Sequence, residues 1–288
     1  MRVRFAPSSS SNLMYLQCGK FRLDLTRPAI MGVVNVTPDS FSDGGRFFSV
    51  AAAEAHARRL IDEGADIIDI GGESTRPGAD AIGLDDERRR VLPVLEKLHD
   101  IAVPVSVDTR KAALMHEAVL AGASMINDIG ALQDAEAMAV IAGNTVAVCL
   151  MHMRGTPADM QTAPVYDDVV SVVSRFLAER VKTASAAGIA RERIVVDPGF
   201  GFGKTMAHNL QLLRRLRDTA PSGIALLAGL SRKSMLGQIT GRAPVERVYA
   251  SVAAAMIAAQ NGAQILRVHD VAATRDALQV LNAINEPA

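Results

Sequence analysis

Eight short apolar runs in this chain each end in polar or charged residues, and those ends together could hold a substrate. In chain order they are Asn35; Asp69, leading into Gly71-Gly-Glu73-Ser-Thr75-Arg76-Pro77-Gly78; Asp108-Thr-Arg110; Asn127-Asp128; Met151-His152-Met153; Asp197-Pro-Gly-Phe-Gly-Phe202-Gly-Lys204; Ser231-Arg232-Lys233; and Arg267-Val-His269-Asp270. A charge at the end of a buried strand is costly unless it is paired or hydrogen-bonded. Taken singly, Asp69, Asp128, His152 and Asp270 are explained as well by a stabilising partner as by a function. Eight coincident cases favour a functional ring.

The ring divides into two chemistries. Asp108, Asn127, Asp197 and Lys233 suit a flat, amide-rich heterocycle, because a carboxylate can accept two N–H bonds from an aminopyrimidine edge while Asn and Lys serve its carbonyl and ring nitrogens. Arg267, His269, Thr75, Arg76 and Asn35 suit an anion. Arginine grips phosphate oxygens bidentately, and Asn35 could lend a carbonyl oxygen to Mg²⁺, which keeps several waters beside substrate phosphates. No two carboxylates are singled out for glycoside hydrolysis.

Two loops add detail. After Asn35 the chain runs Val-Thr-Pro-Asp-Ser-Phe41-Ser-Asp-Gly-Gly45. Phe41 stands there among polar residues, as an aromatic on a lid that packs on a ligand would. The Gly199-to-Lys204 segment misses a phosphate-binding loop by one residue, since Pro198 stands where the first glycine should be. It reads instead as a loop whose glycines admit a ligand close to the backbone, with Phe202 as a stacking wall and Phe200 divided between wall and core. His56, His99 and His116 fall on helices, where a solvated face is the better reading, and Met206 and Met256 read as core filler.

The elements that must position these groups follow from periodicity. Strands are expected at 29–36, 66–70, 103–107, 125–129, 145–151, 193–197, 224–230 and 265–269. Helices are expected at 50–63, 84–99, 110–121, 134–142, 167–187, 206–218, 245–261 and 271–284. Continuously apolar strands imply a sheet covered on both faces and therefore parallel. Eight alternating units predict a (β/α)8 barrel with its active groups at the C-terminal strand ends. The alternative, an open doubly wound sheet, would call for a glycine-rich turn after the first strand, which Asn35-Val-Thr-Pro does not supply. Glu63-Gly-Ala, Ala121-Gly-Ala and Asn261-Gly-Ala recur before strands, as glycine-capped helix ends require. Residues 15–28 alternate about Gly19 and predict a hairpin that plugs the N-terminal end of the barrel. Residues 1–14 read as a flexible segment, and 15–288 as the barrel domain.

Lys+Arg and Asp+Glu are equal at 31 each. No overall field therefore attracts nucleic acid or an acidic membrane, and the absence of Trp argues against a base-stacking surface. Cys18 and Cys149 stand far apart, against a disulfide framework or a cysteine-rich zinc site, and reduced thiols fit the cytoplasm. The N-terminus lacks the apolar core of a signal peptide, and the apolar stretch 248–259 is too short to span a bilayer.

The chain resembles the dihydropteroate synthases, pterin-binding barrels, from about Leu16 to Ile284. The resemblance rests on Asn35-Val-Thr-Pro-Asp-Ser-Phe-Ser-Asp-Gly-Gly45, Gly71-Gly-Glu-Ser-Thr-Arg-Pro-Gly78, Ser106-Val-Asp-Thr109, Ile126-Asn-Asp-Ile129, Asp197-to-Lys204, Ser231-Arg-Lys233 and Arg267-Val-His-Asp270. It implies a transferase in which p-aminobenzoate displaces pyrophosphate from 6-hydroxymethyl-7,8-dihydropterin pyrophosphate. It also implies Mg²⁺, a cytoplasmic homodimer and competition by sulfonamides. Carried onto this chain, the pterin pocket is Asp108, Asn127, Met151, Asp197, Phe202, Gly229 and Lys233. The pyrophosphate site is Thr75, Arg76, Arg267 and His269 with Asn35 on the metal, and the p-aminobenzoate pocket is Phe41, Pro77, Ser231 and Arg232 beside Lys233. Asp108, Asp197, Lys233, Arg267 and His269 are the expected catalytic groups. The 248–259 segment is the expected dimer surface. Three rivals remain: a pterin-dependent methyltransferase, a silent pterin-binding paralogue, and a Schiff-base aldolase using Lys233. The aldolase is disfavoured on the expectation that Ser231-Arg232 leaves Lys233 cationic.

Overall fold

A computed structural model describes residues 15–36, 50–74, 81–156, 160 and 164–285. A hairpin of β1 (Tyr15–Cys18) and β2 (Phe21–Asp24) precedes β3 (Ala29–Asn35), α1 (Val50–Asp62), β4 (Ile67–Gly71), α2 (Leu84–Lys97), β5 (Val105–Asp108) and α3 (Ala112–Leu120). Then come β6 (Met125–Asp128), α4 (Ala135–Ala142), β7 (Ala147–Met151), α5 (Val169–Ala186), β8 (Ile194–Asp197) and α6 (Met206–Arg214). The chain closes with β9 (Ala225–Ala228), α7 (Ser234–Thr240), α8 (Val248–Gln260), β10 (Ile265–Val268) and α9 (Val271–Asn285). Strands β3 to β10 form a closed barrel in chain order, all pairs parallel, with β10 returning to β3. The (β/α)8 reading is correct. The expected strand ends lie within two residues of those observed, and β4 and β5 run one residue past their expected ends.

Alternate residues of a strand face opposite sides, and here that sorts the core. Ala29, Met31, Ile67, Met125, Ala147, Cys149, Val195, Ala225, Leu227 and Ile265 fill the lower interior, where Leu16 and Cys18 of the hairpin join them. Gly19 N–H donates to the Thr145 carbonyl at 3.2 Å, so the hairpin closes the bottom as expected. The other strand face packs against the helices through residues such as Ile30, Val34, Ile68, Ile126 and Val148. Two residues further along the inward faces the apolar filling stops and the polar ring begins. Among the described residues no helix is long and apolar enough to cross a membrane.

The helices start where side chains satisfy their first N–H groups. Asp134 accepts from Glu136 and Ala137 N–H at the start of α4, and Thr205 with His208 forms a reciprocal cap on α6. Gly64, Gly122 and Gly262, the repeated glycines, all have φ near +100°, as a left-handed helix end demands. One element is absent from the sequence expectation: α7, only seven residues long and too short for a periodic signal. Met206 is 39% exposed at the start of α6 rather than core, whereas Met256 packs on the core as expected.

Arg193 is buried low in the barrel wall and donates to the carbonyls of Val146 (Nε, 2.9 Å) and Ile141 (Nη2, 2.8 Å). Arg193→Ala removes a buried donor from both carbonyls and leaves Ile141 only backbone N–H groups such as that of Asn144 at 3.3 Å, so thermal or urea unfolding should give a loss of about 2 kcal/mol, with substrate KM values unchanged because the strand's opposite end carries the site.

Candidate active site

At the C-terminal mouth of the barrel the ring residues line one cavity of about 1400 Å³, large enough for two small substrates together. Register brings them side by side. Asn35 pairs with Gly71, Gly71 with Asp108, Asp108 with Asn127, and Met151 with Asp197. Gly71 leaves open the space between Asn35 and Asp108, since a Cβ there would sit 3.6 Å from that of Asp108 and 4.0 Å from Asn35 Oδ1.

The centre is an ion network. Arg267 Nε donates to Asp69 Oδ2 at 2.7 Å, and its Nη2 donates to Asp108 Oδ2 at 2.8 Å. Asn127 Nδ2 reaches the same Asp69 oxygen at 3.3 Å. Burial works against the Arg267 charge, but Asp69 and Asp108 outweigh it and hold the guanidinium protonated. Burial pushes the Asp108 carboxyl above the ordinary carboxylate range; Arg267 opposes this, and Asp69 and Glu87 add to it. Asp197 is also raised by burial, against the Gly199 N–H that donates to its Oδ1 at 2.7 Å and against Lys233. Three carboxylates and two cations thus share one poorly hydrated layer.

Lys233 lies with its Nζ 4.2 Å from the centre of the Phe202 ring. Burial and Arg267 push its pKa down to about 8, with Asp197 and Asp108 opposing. Lys233 is thus depressed, where the sequence expectation had Ser231-Arg232 leave it cationic rather than depressed. Arg232 turns away from it and pairs with Asp270 at 2.6 Å, and the burial was invisible in the local sequence. Phe202 joins Met151, Met160 and Ile129 in an apolar wall, while Phe200 belongs to the core.

The ends of β9 and β10 are laced together. Ser231 Oγ contacts His269 N–H at 3.2 Å and His269 Nδ1 at 2.9 Å, one residue before the Arg232–Asp270 pair. Arg232 has φ +58°, a costly backbone for a non-glycine residue. Ser251 Oγ fixes it by accepting its N–H at 3.0 Å, and Arg247 donates to the carbonyls of Arg232 (2.9 Å) and Lys233 (3.3 Å). On the opposite rim Lys111 bridges Glu73 and the fully buried Glu87, each at 2.5 Å.

Lys204 does not face a ligand. Its Nζ is buried against the carbonyls of Gly199, Phe202 and His152 at 2.9, 2.9 and 3.2 Å, and it meets His152 Nδ1 at 3.0 Å. Burial and the neighbouring Lys204 push His152 down to about 3, so the ring is neutral. The loop's glycines likewise serve the protein. A Cβ on Gly199 would collide with the His152 carbonyl oxygen and one on Gly203 with that of Arg154. This corrects the reading of the segment as glycines opened for a ligand; only Gly201, against the Lys233 stem at 3.3 Å, borders the cavity that way.

The cavity therefore gathers Asn35, Asp108, Asn127, Met151, Asp197 and Phe202 with Gly229, Ser231, Arg232, Lys233, Arg267 and His269. Phe41, Thr75, Arg76 and Pro77 lie outside the described residues. Sequence reasoning passed over Asp69 as a binding group, and left out Arg247, Lys111 and Glu87 altogether. A charge at an inward position of Ile-Ile-Asp-Ile-Gly was the one local signal for Asp69. Glu87 sits on α2, and Lys111 and Arg247 stand just before α3 and α8, where nothing nearby marks them.

The family described as pterin binding enzyme matches residues 31–269. The chain belongs to the family of pterin-binding enzymes. It is 51% identical over 275 residues to the dihydropteroate synthase of Neisseria meningitidis serogroup B, spanning 93% of this chain and 96% of that one. Its fold is similar to that of Xanthomonas albilineans dihydropteroate synthase with 4-aminobenzoic acid, with a TM-score of 0.91 and 54% identity over 96% and 100% of the two chains. It is similar also to that of Burkholderia cenocepacia dihydropteroate synthase complexed with 7,8-dihydropteroate, with a TM-score of 0.87 and 49% identity over 94% and 96%.

Two expectations follow for this pterin-binding site. Gly199→Ala places a side chain against backbone at φ +70° and should cost more than about 2 kcal/mol in thermal unfolding, with pterin binding weakened alongside. The raised Asp108 carboxyl should appear as an acid limb in kcat/KM above the ordinary carboxylate range. Activity is present above that limb and is lost as pH falls through it, because the protonated group no longer accepts two N–H bonds. Asp108→Asn should erase the limb.

Proposed function

We propose that the chain condenses 6-hydroxymethyl-7,8-dihydropterin pyrophosphate with p-aminobenzoate, giving 7,8-dihydropteroate and pyrophosphate in folate synthesis. The observation that carries this reading is the convergence of Asp108, Asn127, Asp197 and Lys233 with Arg267 and His269 in one cavity. Dihydropteroate synthases at about half identity over nearly the whole chain support it.

The pterin ring offers an aminopyrimidine edge and a lactam. In this reading Asp197 Oδ2 and the Asp108 carboxylate accept its N–H groups, the Asn127 amide serves a ring nitrogen that carries hydrogen, Lys233 donates to its carbonyl or an unprotonated ring nitrogen, and Met151 and Phe202 cover its face. The exocyclic C–O bond breaks as pyrophosphate departs toward Arg267 and His269, joined by Thr75 and Arg76. The dihydropterin delocalises the positive charge left on the methylene carbon, and Asp108 and Asp197 stabilise it in a site where water screens little. The p-aminobenzoate amine, neutral at pH 7, attacks that carbon and sheds a proton. Ser231, the backbone beside Lys233, Phe41 and Pro77 form its pocket, while Arg232 borders it through its pairing with Asp270.

Mg²⁺ fits this donor set in one way. Among the described residues no group of three or more His, Cys, Asp or Glu could hold a metal. Asn35 can lend one carbonyl oxygen at the mouth, and the pyrophosphate and water would supply the rest. When bound there, Mg²⁺ would neutralise charge on the leaving group. We further assign a homodimer built on α8, where Tyr249 is 89% and Ile257 45% exposed, with Ile239 of α7 nearby in sequence and 55% exposed. Apolar side chains on one helix are a candidate contact surface. Balanced charge and reduced cysteines suit the cytoplasm, and sulfonamides should compete with p-aminobenzoate.

The test is pyrophosphate release from the pterin substrate, with and without p-aminobenzoate and with and without Mg²⁺. Release that requires p-aminobenzoate and yields dihydropteroate is expected; pterin binding with no release would instead indicate a silent paralogue. Asp108→Asn should lower kcat by roughly 10²-fold with little change in melting temperature, because Arg267 keeps Asp69.

A further inference from the structure

Asp69 is the one member of the ion network that cannot touch a substrate. It is fully buried on β4 and takes no part in lining the cavity. Its Oδ2 accepts from both Arg267 Nε and Asn127 Nδ2, while its Oδ1 has no hydrogen-bond partner among the described residues. A buried carboxylate left half satisfied is expensive, and an apolar residue would fill an inward barrel position more cheaply. Asp108, by contrast, keeps 11% of its side chain exposed and borders the cavity. The two carboxylates hold different nitrogens of one guanidinium.

We propose that Asp69 is a positioning residue for the pterin pocket, the permanent counter-ion that holds Arg267 while fixing which end of the Asn127 amide faces the ligand. The inference rests on the pterin reading above. Its first part follows from charge. If Asp108 were the sole partner of a buried arginine, turning it toward a ligand would strand that cation, which costs several kcal/mol. With Asp69 in place, Asp108 can exchange its Arg267 contact for pterin N–H groups while the guanidinium stays paired. Its second part follows from donor and acceptor count. An amide whose NH₂ is taken by Asp69 presents its oxygen to the cavity, so Asn127 selects a ligand with a donor at that place. Rotating the amide would set oxygen against carboxylate.

The experiment compares Asp69→Asn with the wild-type enzyme by fluorescence titration with 6-hydroxymethylpterin, by KM for each substrate, and by melting temperature. Removing the charge should weaken pterin binding and raise the pterin substrate KM by roughly ten- to a hundredfold. The KM for p-aminobenzoate should stay within about twofold, since that substrate does not meet the Asp69 network. Wild-type pterin affinity in the variant would overturn the proposal, and so would an equal loss for both substrates accompanied by a lowered melting temperature, the mark of a merely structural role. Failure of the wild-type enzyme itself to bind the pterin would sink the functional reading along with it.

Should Asp69→Asn not fold, an exchange decides. Asn127→Asp alone sets two carboxylates together and should abolish pterin binding. Adding Asp69→Asn restores one donor–acceptor pair with an acceptor still facing the cavity, so binding should recover at least roughly tenfold. No recovery would refute the assigned orientation.

Discussion

The upper barrel depends on keeping Arg267 charged in a place where water cannot reach it. Isolated, a buried guanidinium would be prohibitive; clasped by Asp69 and Asp108 it is held protonated, and the pair contacts replace lost hydration. The same clasp sets the neighbouring groups. Asp69 orients Asn127, burial together with Arg267 depresses Lys233, and burial raises both Asp197 and Asp108, the latter with a further push from Asp69. Opposite charges packed this closely leave a site with strong local fields, suited to a reaction in which positive charge develops on the ring side as an anion departs.

Around this layer the loops are fixed by donors buried in the protein. Lys204 gathers three carbonyls from two loops, and so ties the segment after β7 to the one carrying Phe202. Arg247, at the start of α8, caps the carbonyls of Arg232 and Lys233, and reaches them because Gly237 has no side chain to block its guanidinium. Lys111 binds Glu73 to Glu87 beneath the β4 loop. Each is a helix or loop residue outside the ring, and each limits how far a ring residue can drift. Such support matters because sub-ångström placement of acceptors decides how much charge stabilisation a transition state receives.

The fold was legible because its signals are periodic. Eight apolar runs alternating with amphipathic stretches leave few topologies open, and the recurring Gly-Ala turns agreed with them. Most of the site was legible for a related reason: in a barrel of this kind the strand ends are the mouth, so reading the polar residues at or just past the end of each run recovers Asp108, Asn127, Asp197, Lys233 and Arg267. The seven-residue α7 was lost because so short a helix carries no period.

What the sequence determined by itself was the number of units, their order and the inventory of groups at the mouth, since these follow from local pattern and from parity along a strand. What only the tertiary structure decided was who partners whom. Lys204, placed like a phosphate-loop lysine, is spent on backbone carbonyls; Arg232, placed beside Lys233, turns to Asp270; and Asp69, indistinguishable in sequence from a structural charge, meets Arg267 from 198 positions away. Those choices depend on closure of the barrel, which sets β10 beside β3 and brings its Arg267 to Asp69 of β4 and Asp108 of β5. Distances between the first strands and the last exist only once the ring is shut.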